Sequence, residues 1–224
     1  MATNLDLQEQ EQLDELKAFW NQYGNLITWT LVIVLGAFAA WNGWNYWQRD
    51  QGAKAGAMFD ELDRAVQAGD AAQAGRVFND LKDRYGRTTY AAQAGLLAAK
   101  LQAEKDQPDA AMASLGWVAE HAGDEGYQAL AHLRMAALLL DKKAYDDALK
   151  QVDAVKTAEF APLADDRRGD ILLAQGKRDE AVKALQSAWK AMSEQTDYRR
   201  IVESKLTSLG AAPEAASAAS GVAK

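Results

Sequence analysis

Hydrophobic positions are distributed in two different ways along this chain. From Ala18 to Gln48 no residue is charged, and the centre of that run, Leu26 to Trp41, is built mainly of Leu, Ile, Val, Ala, Thr, Phe and Gly. A helix that spans a bilayer needs about 20 consecutive apolar residues, so the run predicts one transmembrane helix over 26–47. Aromatic residues flank it: Trp20, Tyr23 and Trp29 towards one end, Trp41, Trp44, Tyr46 and Trp47 towards the other. Such rings prefer the two membrane interfaces, where the apolar body and the polar N–H or O–H are both satisfied. Beyond Arg49 the apolar positions recur at helical spacing between charged ones, which predicts amphipathic helices packed into a domain over 48–210.

Two other readings of the run have less support. A buried helix of a soluble domain would not be so much longer and more apolar than every other segment. Ala37-Phe38-Ala39 has the small-x-small pattern of a signal-peptidase site, yet a signal peptide starts with a short basic segment. Here the first 25 residues carry Asp6, Glu9, Glu11, Asp14 and Glu15 against Lys17 alone. That acidic stretch, 1–25, is expected to hold a short amphipathic helix. Charge leaves the orientation open, because Lys17 and the terminal amine on one side face Arg49 and Lys54 on the other, and acidic residues weigh little in the positive-inside rule.

Inside the periodic region the same unit recurs. In QAGDAAQAGRVFNDL, DKKAYDDALKQVDAV and AQGKRDEAVKALQSA a turn residue is followed by a small residue, then an apolar one four further on, then another three further on. These positions are Gly69, Ala74, Phe78 and Leu81; Lys143, Ala148, Val152 and Val155; and Gly176, Ala181, Leu185 and Ala188. A fourth copy, Asp106, Ala111, Leu115 and Val118, lies between the first two and is weaker, since Gln102 stands where an apolar residue is expected. The small residue recurs after 37, 37 and 33 positions, near the 34-residue period of tetratricopeptide repeats. The predicted fold is therefore all-α: one N-terminal transmembrane helix, then a tetratricopeptide-like solenoid of four helix pairs.

The pattern has a steric cause. Two antiparallel helices of a hairpin approach closely only where the contact residue is small, which assigns Ala74, Ala111, Ala148 and Ala181 to the second helices, and Ala136 and Gly169 to the first. Gly69 and Gly176 suit the left-handed conformation that ends a helix. Asp109, Asp146 and Asp179 put negative charge at the start of the second helices, where the helix dipole favours it. Thr196 to Leu209 is expected to cap the stack, and the Ala/Ser-rich 211–224 to be a disordered tail. Solenoids bind partners on the face lined by their first helices. In this phase Lys100, Leu133, Arg134, Ala137, Arg167, Asp170 and Leu173 are the candidates for that groove, with Leu133 and Leu173 equally readable as core between repeats.

Composition narrows the chemistry. The chain has no cysteine and a formal charge of −7, which excludes disulfides and thiolate chemistry and disfavours a phosphate backbone as ligand. His121 and His132 have no partner motif, and Asp146-Asp147 and Asp165-Asp166 are best read as acids at helix starts. No glycine-rich phosphate loop, metal-spaced cluster or nucleophile elbow is present. The expectation is a binding protein without catalytic residue, metal, cofactor or small-molecule substrate.

From Leu5 to Leu209 the order of segments is LKAFWNQYGN, WNGWNYW, AGAMFDEL, TTYAAQAGLLAAKL, AHLRMAALLL and ADDRRGDILLAQGKRDEA. It resembles the YfgM-type ancillary subunits of the SecYEG protein-export channel, most tellingly in Arg168-Gly169-Asp170 followed by Gly176. The resemblance implies an anchor in the bacterial inner membrane, with the N-terminal segment cytoplasmic and the repeats periplasmic. It also implies as partners the SecYEG channel, a membrane-anchored periplasmic chaperone of prolyl-isomerase type and translocating polypeptides. The Ala/Ser-rich tail departs from the family. A scaffold for another envelope assembly, such as cytochrome maturation or cell division, is the alternative. An ancillary subunit must find its channel within the bilayer, and Gly36, Ala40 and Gly43 form a small-residue stripe that would let another membrane helix approach. The competing explanation is that Gly and Ala are common in spanning helices.

Overall fold

The computed structural model describes residues 7–193 and 195–213. The first six residues and 214–224, where most of the expected tail falls, lie outside the described residues. The chain divides into two units, one ending at Gln51 and the other beginning at Gly52.

The first unit is a single helix, the N-terminal part of α1 (Leu7–Gln67). No proline interrupts it, and it is long and apolar enough to cross a membrane. Its large apolar side chains point outward: Ile33 is 67% exposed and Phe38 65%. Three of its polar side chains turn inward on the helix itself. The Thr28 and Thr30 hydroxyls donate to the carbonyls of Gly24 and Leu26 at 2.7 and 2.8 Å, and the Asn42 amide donates to Phe38 at 2.8 Å. Each bonds one turn back, so none needs water, which a bilayer core does not supply.

The second unit is built of antiparallel helix pairs. The last turns of α1 pair with α2 (Ala71–Tyr85), α3 (Thr89–Glu104) with α4 (Pro108–His121), α5 (Glu125–Asp141) with α6 (Tyr145–Asp153), and α7 (Ala161–Ala174) with α8 (Arg178–Ala191). The helix α9 (Asp197–Ser208) closes the series. Pro108 and Pro162 stand in the first turns of α4 and α7, where a missing N–H costs nothing.

The repeat phase read from the sequence is the phase of the backbone. Gly69, Asp106, Lys143 and Gly176 all have positive φ, between 57° and 79°. After each, an amide bonds to the carbonyl five residues back: Asp70 to Ala65, Gln107 to Gln102, Ala144 to Leu139 and Lys177 to Leu172, at 2.8–2.9 Å. This is the six-to-one bond of the Schellman turn. The same turn appears a fifth time at Gly210, φ 68°, with Ala211 bonded to Leu206. Helix α9 thus ends as a first helix ends.

The small positions are sealed. Ala74, Ala111, Ala148 and Ala181 have no exposed surface, and Phe78, Leu115, Val152 and Leu185 beside them are 0–2% exposed. A Cβ added to Gly169 would lie 2.7 Å from Leu185 Cγ, so α7 and α8 meet at backbone distance there. Gly95 on α3 plays the same part, with Val118 Cγ2 2.4 Å from the place of a Cβ. One position of the sequence pattern departs: α6 stops at Asp153, so Val155 lies past the helix end and is only partly buried. Two bonds fix that end, Arg168 Nη1 to the Asp153 carboxylate and Lys156 Nζ to the Asp153 carbonyl, both 2.8 Å.

Candidate partner-binding face

Which side of the repeat unit is the inner one follows from its helix contacts. First helices touch their successors directly, α3 with α5 and α5 with α7, whereas the second helices α4, α6 and α8 make no comparable contact with one another. The first helices therefore form the closely spaced layer and line the inner face of the curve.

Counting back from the turn residue aligns that face. The positions nine before the turn are Asp60, Leu97, Arg134 and Arg167, and those six before are Asp63, Lys100, Ala137 and Asp170. Lys100 is exposed and pairs with Glu104 at 3.8 Å. Arg134 is half-buried, and its Nη1 donates to the Leu96 carbonyl of α3 at 2.8 Å. Burial alone pushes this guanidinium below its ordinary value. Ala137, one turn on, is half-buried. Arg167 and Asp170 pair at 3.6 Å on the same helix.

The structure removes two groove candidates from this face. Leu133, ten before the turn, is 7% exposed and packs with Ala136, Ala148, Val152, Ala164 and Ile171. Leu173, three before the turn, packs against the clusters of Leu185 and Ala181. Leu133 is core between neighbouring helices and Leu173 is partly buried at the edge of two clusters, because their positions rotate them off the inner face.

The acidic and basic residues at the start of α7, in the segment that carried the resemblance, form a structural junction. Asp165 accepts from Ser187 at 2.6 Å, Arg168 reaches Asp153, and Gly169 lies against Leu185. Asp166, 2% exposed, accepts from Lys205 Nζ at 2.8 and 3.0 Å and from the Tyr198 hydroxyl at 2.8 Å. Asp170 accepts from the same Lys205 at 2.7 Å. This buried cluster fastens α9 to α7. Burial first, then the hydrogen bond to Asp166, pushes the Tyr198 hydroxyl up to about 12.

One further column escaped the sequence reading. Sixteen residues before the turn stand Tyr90, Tyr127 and Phe160, each reaching the preceding first helix. Tyr90 meets Phe59 at 5.7 Å between centroids, the Tyr127 hydroxyl accepts from Gln93 at 2.7 Å, and Phe160 covers Gly126. The rings recur after 37 and 33 residues, the spacing of the turns, which was the signal available to find them.

Residues 17–211 match the family model of a tetratricopeptide repeat-like domain. The ancillary SecYEG translocon subunit of Neisseria gonorrhoeae is 31% identical over 91% of this chain and 98% of its own length. This chain belongs to the ancillary SecYEG translocon subunit family. The subunits so named in Escherichia coli and Haemophilus influenzae are 29% and 27% identical, over 82% and 84% of this chain and 86% and 92% of their own. A solved structure, the MamA RS-1 ArsTM double mutant, superposes with a TM-score of 0.50 at 17% identity, covering 71% of this chain and 96% of that one. That likeness shows the fold alone. In this subunit of the family, the candidate membrane-helix residues Gly36 and Gly43 have nothing beyond their own local helix backbone within 4 Å of the place of a Cβ, and Ala40 is exposed.

Proposed function

We propose that this protein is a non-catalytic, membrane-anchored adaptor of the SecYEG export channel. The observation that carries the reading is the likeness to the N. gonorrhoeae subunit over 98% of that protein's length, membrane segment and repeats together. The N-terminal segment lies in the cytoplasm, α1 crosses the inner membrane uncleaved, and the repeats stand in the periplasm. There the face lined by α3, α5 and α7 binds partner proteins, among them a membrane-anchored chaperone of prolyl-isomerase type, and helps pass translocated polypeptides to periplasmic folding factors. A rigid stack whose inner face carries paired charges and half-buried rings suits protein binding better than chemistry.

Extraction in mild detergent followed by mass spectrometry of co-purifying proteins tests the role, and channel subunits are expected in the eluate. Recovery of cytochrome-maturation or division proteins in their place would overturn it. Protease added to spheroplasts tests the orientation: the repeats are expected to be digested without lysis.

A further inference from the structure

Arg134 is unusual among the cations of the repeat unit. It is half-buried, it lies across the seam between α5 and α3, and among the described residues no carboxylate comes within 4 Å of it. Its in-phase neighbours are neutralised: Lys100 by Glu104, and Arg167 by Asp170, which Lys205 also holds. A charge withdrawn from water without a counter-charge is a cost that folding alone does not recover. One bond to the Leu96 carbonyl uses one of five N–H donors. The position one turn on is Ala137, whose side chain is only a methyl. Apolar and aromatic side chains stand on the same helices, the exposed Tyr90 and half-buried Leu97 on α3, half-buried Tyr127 and Leu130 on α5.

We propose that the inner face binds an extended acidic polypeptide segment, in which a side-chain carboxylate takes the fork of Arg134 and flanking apolar side chains lie along Tyr90, Leu97, Tyr127 and Leu130. This rests on the reading of the first-helix face as the partner-binding face and adds the chemistry of what it selects. A guanidinium pairs a carboxylate through two parallel N–H···O bonds, so the choice of Arg over Lys is part of the recognition. An otherwise acidic protein repels an acidic ligand at long range, and the uncompensated Arg134 in the inner face sets where and in what register such a segment docks.

The test uses the full-length protein in nanodiscs and fluorescence anisotropy with labelled, C-terminally amidated peptides that alternate apolar residues with Asp, against counterparts with Asn for Asp. The Asp peptide is expected to bind about tenfold more tightly, the worth of one charge-assisted bond, and the preference is expected to shrink with salt. Arg134→Gln keeps an N–H for the Leu96 carbonyl and should abolish the preference, while Arg134→Lys should retain only part of it. Helix content and thermal midpoint confirm that the variants are folded. Should Arg134→Gln fail to fold, a photoreactive Asp peptide on the wild-type protein must cross-link to α3 and α5. Equal binding of the Asp and Asn peptides by the wild type, an unchanged preference in folded Arg134→Gln, cross-links confined to other helices, or a preference that appears only with a free C-terminal carboxylate would each overturn the proposal. Co-purification of the channel is a separate readout. Channel subunits in the eluate with no Asp preference would sink this inference alone, and an Asp preference without the channel would sink the SecYEG reading alone.

Discussion

The membrane helix and the repeat unit are made of much the same apolar residues, yet they dispose of polar groups in opposite ways. In the first, Thr28, Thr30 and Asn42 bond to carbonyls four residues back on their own helix. In the second, buried or half-buried polar groups reach across helices: Ser114 to Gln102, His132 to Gln151, Lys205 to Asp166. A helix satisfied within itself is complete in lipid and leaves its choice of neighbour to shape. A helix whose polar groups are satisfied only by the next one is committed to that neighbour, since a wrong pairing strands a buried donor or acceptor at about 1–3 kcal/mol. Neighbours in the repeat unit are thus specified twice, by small residues and by polar bonds.

The sharpest way to break the contrast is to add volume on each side of it. Ala148→Phe places a ring where α5 and α6 meet at a residue with no exposed surface, and Gly169→Ala puts a methyl within 2.8 Å of Leu185. Overpacking of this kind costs about 1–3 kcal/mol, with the ring at or beyond the upper end. Gly43→Ala adds the same methyl to the membrane helix where nothing beyond the local helix backbone lies within 4 Å. Thermal unfolding should fall for the first two and stay level for the third. An unchanged midpoint for Ala148→Phe would show the hairpin phase to be wrong.

Next in size is the polar commitment itself. Lys205→Met leaves Asp166 buried with only the Tyr198 hydroxyl, and breaking a buried pair from one side costs about 3–5 kcal/mol at full burial. Lys205 is 26% exposed, so the lower end or somewhat less is expected, and the loss should be local to the cap. Hydrogen exchange should rise over 197–208 and hardly change over α3 and α4. Uniform acceleration through the whole unit would mean that α9 is not a separable cap.

Tyr198 offers a milder probe of the same junction. Its hydroxyl is raised from the ordinary value of 10 to about 12, so above pH 10 the unfolded chain releases a proton that the folded chain retains. The stabilisation is whole below pH 10 and is lost as pH rises from there to about 12. Tyr198→Phe should therefore flatten this alkaline limb of unfolding relative to wild type. A limb equally steep in both proteins would assign it to other groups.

How far these features were legible in the sequence follows from the same contrast. The membrane helix was open to reading because its apolar run is continuous, and the repeat phase because four turn residues align with four alanines that the structure buries completely. The copy weakened by Gln102 is sound: its side chain is 6% exposed and accepts from Ser114 twelve residues on, a pairing no apolar template anticipates. Gly95 was hidden for the opposite reason, since one glycine among alanines carries no pattern until Val118 and Phe78 are seen against it. Leu133 and Leu173 could be read as either groove or core because helical periodicity locates an inner face to within about a residue, whereas one residue turns a helix by about 100°.

The smallest expected effect on stability, and the largest on assembly, lies in the membrane helix. Gly36 and Ala40 are four apart and share a face with Gly43 close by, and their surroundings are empty within the chain. Where lipid is as apolar as leucine, helices associate through close packing, which small residues permit and large ones prevent. Changing Gly36 and Ala40 together to Leu should leave membrane insertion intact, because leucine favours hydrocarbon more than glycine does. It should leave the thermal midpoint of the repeats where it was, since no repeat contact is touched. Co-purification of the channel should weaken if the stripe is where a partner helix docks. Undiminished co-purification at equal expression would instead assign recognition to the inner face of the repeats, and the self-satisfied helix would then be a tether that any apolar sequence of its length could replace.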